Sequence, residues 1–286
     1  PLPDEVIVYP AHGPGSACGK NIGQETFSTI GVQRETNYAM KAPSKESFIA
    51  QVTDGMLPPP KYFFEDARIN KQGYEPLEQI IHKSLVPMSP KQVADKMNAA
   101  VILDTRNAEE FENVHIPGAI NIGLGGQYAV WIGTIFSIDQ PFIIIADPEK
   151  EEEAIIRLAR VGFENVVGYL AGGIESWNGS LASVKSIEPE ELTQNFNNEL
   201  GVIDVRKPGE YADGHVTGAL HYPLAELSEK LPEDRTRAWH IYCAGGYRSM
   251  IACSLLKRMG FTNVVNIRRG YNAFEEAGVP IAESVH

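Results

Sequence analysis

The chain repeats itself, and that limits its folds more than any other feature. Ile102-Leu103-Asp104-Thr105-Arg106, then Glu110-Phe111, then His115-Ile116-Pro117-Gly118-Ala119-Ile120, form a first set of residues. They return one hundred positions later as Val202-Ile203-Asp204-Val205-Arg206, Glu210-Tyr211 and His215-Val216-Thr217-Gly218-Ala219-Leu220. Gly162-Phe163 with Asn165-Val166-Val167 likewise matches Gly260-Phe261 with Asn263-Val264-Val265, displaced by 98. A repeat of this length implies two homologous domains in tandem, and 286 residues suffice for two or three cores of roughly 100–150 residues each.

Each copy reads as a β-rich run (Ala100 to Leu103; Gly201 to Val205), a turn and helix, and a second strand (Phe142 to Ala146; Trp239 to Tyr242). A further helix and a third strand follow (Val166 to Tyr169; Val264 to Ile267). Strands alternating with helices at this spacing predict an α/β fold, a parallel sheet with helices on both faces. Ile251, Leu255 and Met259 recur at helical spacing and Gly260 supplies a stop, so a helix is expected directly after Cys243-Ala244-Gly245-Gly246. The stretch from Pro43 to Pro90 is broken by Pro58-Pro59-Pro60 and reads as a connector with a helix near Lys45 to Val52; the linker between copies lies near Ser180 to Pro189.

A formal charge of −12 argues against partners that bind through phosphate backbones or anionic lipid, so neither nucleic acid nor membrane is expected. The longest apolar runs, such as Phe142-Ile143-Ile144-Ile145-Ala146, fall far short of the roughly 18 residues of a membrane span. The three cysteines, Cys18, Cys243 and Cys253, have unrelated spacings, which favours a reducing compartment, the cytoplasm. The start, Pro1-Leu2-Pro3-Asp4, has no initiating Met and no leader-like segment, and reads as cut from something longer.

Cys243 is the candidate nucleophile. A free thiol titrates near 8.5, so a reactive one needs cationic groups or N–H donors around its thiolate. Cys243 ends a strand; Gly245 and Gly246 let successive N–H groups curl toward one point, and a helix N-terminus follows. Ala244, Gly245, Gly246, Tyr247, Arg248 and Ser249 are the expected substrate cradle, with the Arg248 fork at its rim. Cys253, inside the helix, reads as a small buried hydrophobe.

These residues, with Asp204-Val205-Arg206, Gly214-His215-Val216, Gly218-Ala219 and Gly270-Tyr271, resemble a rhodanese domain. The resemblance implies a sulfurtransferase. In its ping-pong cycle Cys243 takes sulfane sulfur from thiosulfate or a low-molecular-weight persulfide, holds it as a persulfide, and passes it to a thiol, cyanide or sulfite. No cofactor is implied for that reaction. Asp204, Arg206 and His215 could be read as completing a triad, but the same residue types recur in the copy without a cysteine, so a structural role beside the site is expected.

In the first copy an ungapped offset of 98 places Ile145 opposite Cys243, followed by Ala146-Asp147-Pro148-Glu149-Lys150-Glu151. No thiol is available, Pro148 lacks an N–H, and each nearby carboxylate would repel a dianion by about 1–4 kcal/mol. This copy is expected to be inert, a spacer or docking surface.

The N-terminal segment carries a second resemblance. Pro10-Ala11-His12-Gly13-Pro14-Gly15, then Thr29-Ile30-Gly31 with Arg34-Glu35, then Pro58-Pro59-Pro60-Lys61-Tyr62-Phe63, resemble the closing part of a metallo-β-lactamase-type αββα fold. The family concerned is that of persulfide dioxygenases fused to rhodanese domains. That resemblance implies domains at 1–83 (remnant and connector), 84–182 (inert rhodanese) and 183–286 (active rhodanese). Non-haem iron is implied only for a complete dioxygenase domain. His12 matches the last metal-site histidine, but the His-x-His-x-Asp-His motif is absent, so dioxygenase activity is not expected. The implied partners are small molecules: thiosulfate, sulfite, and glutathione or a similar thiol persulfide; a homo-oligomer is compatible with the sequence. Two other classes stay open: a non-catalytic scaffold, and a Cys-dependent phosphatase or arsenate reductase. The Cys-x4-Arg spacing from Cys243 to Arg248, one residue short of the Cys-x5-Arg phosphate loop, argues against the second.

Overall fold

The structure, a computed structural model, describes residues 2–10, 25–53, 63–73, 75–197 and 199–282. The chain divides into two compact units, Pro1–Pro59 and Pro60–His286. In the first, strand β1 (Ile7–Val8) pairs antiparallel with β2 (Ser28–Thr29). The Thr29 hydroxyl caps helix α1 (Ile30–Thr36) by accepting the Val32 N–H at 3.3 Å. Helix α2 (Lys45–Thr53) occupies the stretch expected to be helical. None of the described residues of this unit is buried, and Ile7, Tyr9, Phe27, Phe48 and Ile49 are exposed.

The second unit opens with α3 (Phe63–Gln72) and α4 (Leu77–Ser84), then holds both copies. The first copy runs β3 (Pro87–Met88), α5 (Pro90–Lys96), β4 (Val101–Asp104), α6 (Ala108–Asn113), β5 (Ile120–Asn121), α7 (Tyr128–Ile135), β6 (Phe142–Ile145), α8 (Glu151–Ala159) and β7 (Val166–Leu170). Its five strands are parallel, in the order β3-β7-β6-β4-β5. The second copy runs β8 (Lys185–Ile187), α9 (Pro189–Gln194), β9 (Gly201–Asp204), α10 (Pro208–Ala212), β10 (His215–Val216), β11 (Leu220–His221), β12 (Trp239–Tyr242), α11 (Tyr247–Arg258), β13 (Val264–Ile267) and β14 (Ile281–Ala282). Its sheet, β8-β13-β12-β9-β11, has the same parallel order, while β10 and β14 form a separate antiparallel pair.

All four residues of β4, β6, β9 and β13 are buried, as an all-parallel sheet covered by helices on both faces requires. Local chemistry starts the helices: Ser89 and Gln92 cap α5 reciprocally, with Pro90 at its first position, and Asn107 and Glu110 do the same for α6. The edge strands β3, β5, β8 and β11 have only two or three residues, too few to show alternation, and the sequence pattern does not reveal them.

Helix α11 differs from its sequence pattern. Instead of one stripe, eight consecutive residues from Ser249 to Leu256 are buried. The first copy covers the remaining side: Ser254 Oγ accepts the Asn121 N–H at 3.1 Å, Tyr247 donates to the Gly123 carbonyl at 2.8 Å, and Arg258 donates to the Gly118 carbonyl at 2.7 Å. One hydrophobic core therefore runs from Ile144 and Leu158 through Met250 and Ile251 to Trp239. Among the described residues, no helix is long and apolar enough to cross a membrane.

Candidate functional site

Strand β12 ends at Tyr242, and residues 243–246 lead into α11. Gly246 has φ 98°, a left-handed conformation that turns its N–H back onto Cys243 Sγ at 3.1 Å while it caps the helix. Cys243, 1% exposed as a residue, thus places its sulfur at the positive end of a twelve-residue helix, where it receives a backbone donor. The loop is pinned from behind: Tyr271 N–H donates to the Cys243 carbonyl at 2.7 Å and Asn272 N–H to that of Ala244 at 3.0 Å. Gly270 makes this approach feasible, since a Cβ there would stand 2.2 Å from the Cys243 carbonyl oxygen.

Ser249 Oγ lies 3.7 Å from Cys243 Sγ, 2.9 Å from the Gly246 carbonyl and 2.7 Å from Asn266 Oδ1. Arg248 directs its fork to Glu210 on α10, both prongs at 2.7 Å. The two arginines after β13 are also paired: Arg268 with Glu112 and Glu188, and Arg269 with Glu188 and Glu190. Charge at the loop mouth is therefore organised as ion pairs.

Asp204, Arg206 and His215 do not hydrogen-bond Cys243. Buried Arg206 grips Asp204 from Nε at 3.0 Å and Nη2 at 2.6 Å, donates to the Gly214 carbonyl at 2.6 Å and stacks on Tyr271. His215 Nδ1 meets the Tyr211 carbonyl at 3.0 Å, with its ring stacked on Tyr211. The first copy repeats each relationship. Arg106 holds Asp104 at 3.0 and 2.6 Å and the Val114 carbonyl at 2.8 Å, and His115 stacks on Phe111 and meets its carbonyl at 2.7 Å. These residues tie the loop after the first long strand to the next helix in both copies.

Strand register corrects the alignment of the two loops by one residue. Asp104 pairs with Ile145 and Asp204 with Tyr242, so Ala146, not Ile145, stands where Cys243 stands. The ungapped reading slips because the stretch from strand end to the matched glycine is one residue shorter in the first copy, Ile145 to Gly162, than in the second, Tyr242 to Gly260: the loop 146–150 is one residue longer than 243–246, but α8 has nine residues where α11 has twelve. Glu149 takes φ 70° in that longer loop. The first copy offers no sulfur at the position.

A cavity of about 570 Å³ lies between the copies, bounded by Gly245, Gly246, Tyr247 and Arg268 on one side and by Asn107 and Glu112 on the other. Asn266 and Glu112 escape sequence reasoning, although a polar residue inside the buried strand Val264-Val265-Asn266-Ile267 is a signal that could have marked the first. Cys253 is free and buried, and burial pushes its thiol up. His12 and Cys18 lie outside the described residues. Among the described residues, no three His, Cys, Asp or Glu side chains are grouped to hold a metal ion, so they do not fit a two-His-one-carboxylate iron site, and no step is derived through one.

Two sheets of identical parallel order, one carrying a cysteine between strand and helix, define a tandem α/β protein with a single thiol centre at that position. The rhodanese-like domain model matches residues 89–180 and 188–277, and the chain belongs to the rhodanese-like domain family, as two tandem copies. A sulfurtransferase of Allochromatium vinosum is 36% identical over 104 residues, covering 34% of this chain and 94% of that protein. Thiosulfate sulfurtransferase PspE of Escherichia coli is 39% identical over 67 residues, covering 22% of this chain and 64% of that protein. Among solved structures, a metallo-beta-lactamase of Staphylococcus aureus aligns at 29% identity and a TM-score of 0.43, covering 59% of this chain and 45% of that one. The family and these relatives support a sulfurtransferase function at the level of the family.

Proposed function

We propose that the second copy is the working centre and that it carries sulfane sulfur on Cys243. The observation that carries this reading is the Gly246 N–H, 3.1 Å from the sulfur at the N-terminus of α11, a donor aimed where negative charge on sulfur must be held.

In the first half-reaction the Cys243 thiolate attacks the outer sulfur of the donor. The donor's S–S bond breaks, its electron pair leaves with sulfite or a thiolate, and Cys243 becomes a persulfide. In the second half-reaction a thiolate, cyanide or sulfite attacks the outer sulfur, and the Cys243 thiolate departs with the bonding pair. No external oxidant or reductant is consumed. The cavity between the copies is the proposed approach for donor and acceptor.

Thiosulfate as donor is supported by the printed name of the Escherichia coli relative. A low-molecular-weight persulfide, and a place in a sulfide- or persulfide-oxidising enzyme, are supported by the residues near His12 that resemble a persulfide dioxygenase. In this reading residues 84–182 form an inert domain and 183–286 the active one, in a reducing, cytoplasmic setting that keeps Cys243 unpaired. One observation favours a scaffold instead, the 1% exposure of Cys243.

Thiosulfate:cyanide and thiosulfate:glutathione sulfurtransfer, measured beside Cys243→Ser with mass spectrometry of the cysteine peptide, separates these readings. Transfer and an adduct of roughly one sulfur on Cys243, both lost in the variant, are expected. No transfer from any sulfane donor would leave the scaffold, and hydrolysis of a small aryl phosphate exceeding sulfurtransfer would make the protein a phosphatase.

A further inference from the structure

The backbone of Arg269 lies in the left-handed region, at φ 57°, although the residue carries a long side chain. Ile267 pairs with Ile187 as Leu170 pairs with Met88, so Arg268 and Arg269 stand where the first copy has Ala171 and Gly172. The next residue fixes the match: a Cβ on Gly173 would lie 3.2 Å from the Ala146 carbonyl oxygen, as one on Gly270 would meet that of Cys243. Gly172 makes the same turn at φ 81° without steric cost. In the second copy a guanidinium side chain replaces that glycine and strains the backbone. Its ion pairs do not offset the strain. Nε donates to Glu188 at 3.0 Å and Nη2 to both oxygens of Glu190 at 2.7 Å, but all three side chains are about half exposed, and pairs so exposed contribute little. Nη1, with its two N–H groups, has no hydrogen-bond partner among the described residues.

Arg269 also lines the cavity between the copies, beside Gly245, Gly246 and Tyr247 of the thiol loop. At about 570 Å³ that cavity is in the range of sites that enclose small organic molecules, more room than an inorganic anion needs. We infer that Arg269 is a specificity-determining residue: its Nη1 receives a carboxylate carried by the thiol that exchanges sulfur with Cys243, so the centre serves carboxylate-bearing thiols ahead of neutral ones. A guanidinium meets a carboxylate with directed N–H groups, and the opposite charges strengthen the contact. A single negative charge is favoured over a dianion, because Glu109, Glu112 and Glu188 line the same cavity and repel each added charge. The first copy, with Ala171 and Gly172 at these positions, has neither the thiol nor the cation. The inference rests on the reading of Cys243 as sulfur carrier, for it names the thiols that such a centre would serve.

The test is titration calorimetry of the full chain with S-methylglutathione, a thioether that cannot exchange sulfur, and with its diethyl ester, in which both carboxylates are masked. The free acid is expected to bind about tenfold more tightly than the ester, the contribution of one charge-assisted hydrogen bond. The chain's formal charge of −12 acts in the opposite direction, so bulk attraction cannot mimic that result. Arg269→Gly, which installs the residue of the first copy, should bind both compounds alike and unfold at a urea midpoint no lower than the parent's. Arg269→Ala keeps a Cβ at the strained position; it should lose the preference equally and unfold at a lower midpoint than Arg269→Gly. Equal binding of acid and ester by the parent, absence of binding, a preference that survives either substitution, or an Arg269→Gly midpoint below the parent's overturns the inference. Transfer of sulfur from thiosulfate to cyanide by the parent is scored separately. Preference without transfer ends the reading of Cys243 as carrier and keeps the carboxylate anchor; transfer without preference does the reverse.

Discussion

Arg248 and Glu210 meet fork to fork, Nη1 to Oε2 and Nη2 to Oε1 at 2.7 Å each, and so tie the first turn of α11 to α10. The Arg248 guanidinium holds the Glu210 carboxyl down at about 2, from an ordinary 4.5. A lowered carboxylate stabilises the fold fully above its ordinary value, and that contribution is lost as pH falls from 4.5 through about 2. With Glu210 partly exposed, the contribution is about 1 kcal/mol. Acid unfolding followed by circular dichroism should show a steeper loss in the parent than in Glu210→Gln over that window. The same variant frees the Arg248 fork beside the sulfur, and KM for thiosulfate should fall about threefold.

Gly270→Ala should damage the loop without touching any side chain in it. The residue sits at φ 54°, and its new Cβ would meet the Cys243 carbonyl. Urea unfolding should show a loss of about 1–3 kcal/mol, accompanied by weaker sulfurtransfer because the backbone behind the sulfur must move.

Asp104→Ala leaves Arg106 buried without its carboxylate and should cost about 3–5 kcal/mol in urea unfolding. Asp204→Ala should cost a similar amount, since Arg206 is buried in the same way. If these pairs are structural in both copies, protein that remains folded after Asp104→Ala keeps its rate of Cys243 alkylation; a loss as large as that of Cys243→Ser would give the pair a role in chemistry.

Burial lowers the His115 imidazole below its ordinary 6.5, with the Phe111 carbonyl opposing the shift. Such a group favours the fold fully above pH 6.5, and stability falls as the unfolded chain takes up the proton below it. Melting temperature should therefore drop between about pH 7 and 5, less steeply in His115→Gln. Part of the slope should survive, because His240 is lowered by burial in the same sense.

Long buried strands and the thiol loop were legible because they are local. Phe142-Ile143-Ile144-Ile145 is a continuous apolar run, and Cys243 with Gly245, Gly246 and Arg248 carries its chemistry within seven residues. What was hidden depends on distance along the chain. Ser186 and Asn266 are 80 positions apart, Ser186 and Glu112 are 74 apart, and Arg248 finds Glu210 across 38. Ala146 was missed because an ungapped comparison anchored on Gly162 and Gly260 cannot register that the loop and helix before them differ in length between the copies. The second buried face of α11 was invisible because its covering, Gly118 to Gly123, belongs to the other copy.

The all-round burial of α11 also bears on the order of folding. The helix that presents Cys243 cannot complete its packing with the second copy alone, since Ser254, Tyr247 and Arg258 close against Asn121, Gly123 and Gly118. Those partners leave the ribosome first, well over a hundred residues ahead, and an N-terminal domain generally folds first during synthesis. The copy without a thiol thus stands ready as the template on which the active helix settles, and a gene shortened to the second domain would yield a chain prone to aggregate.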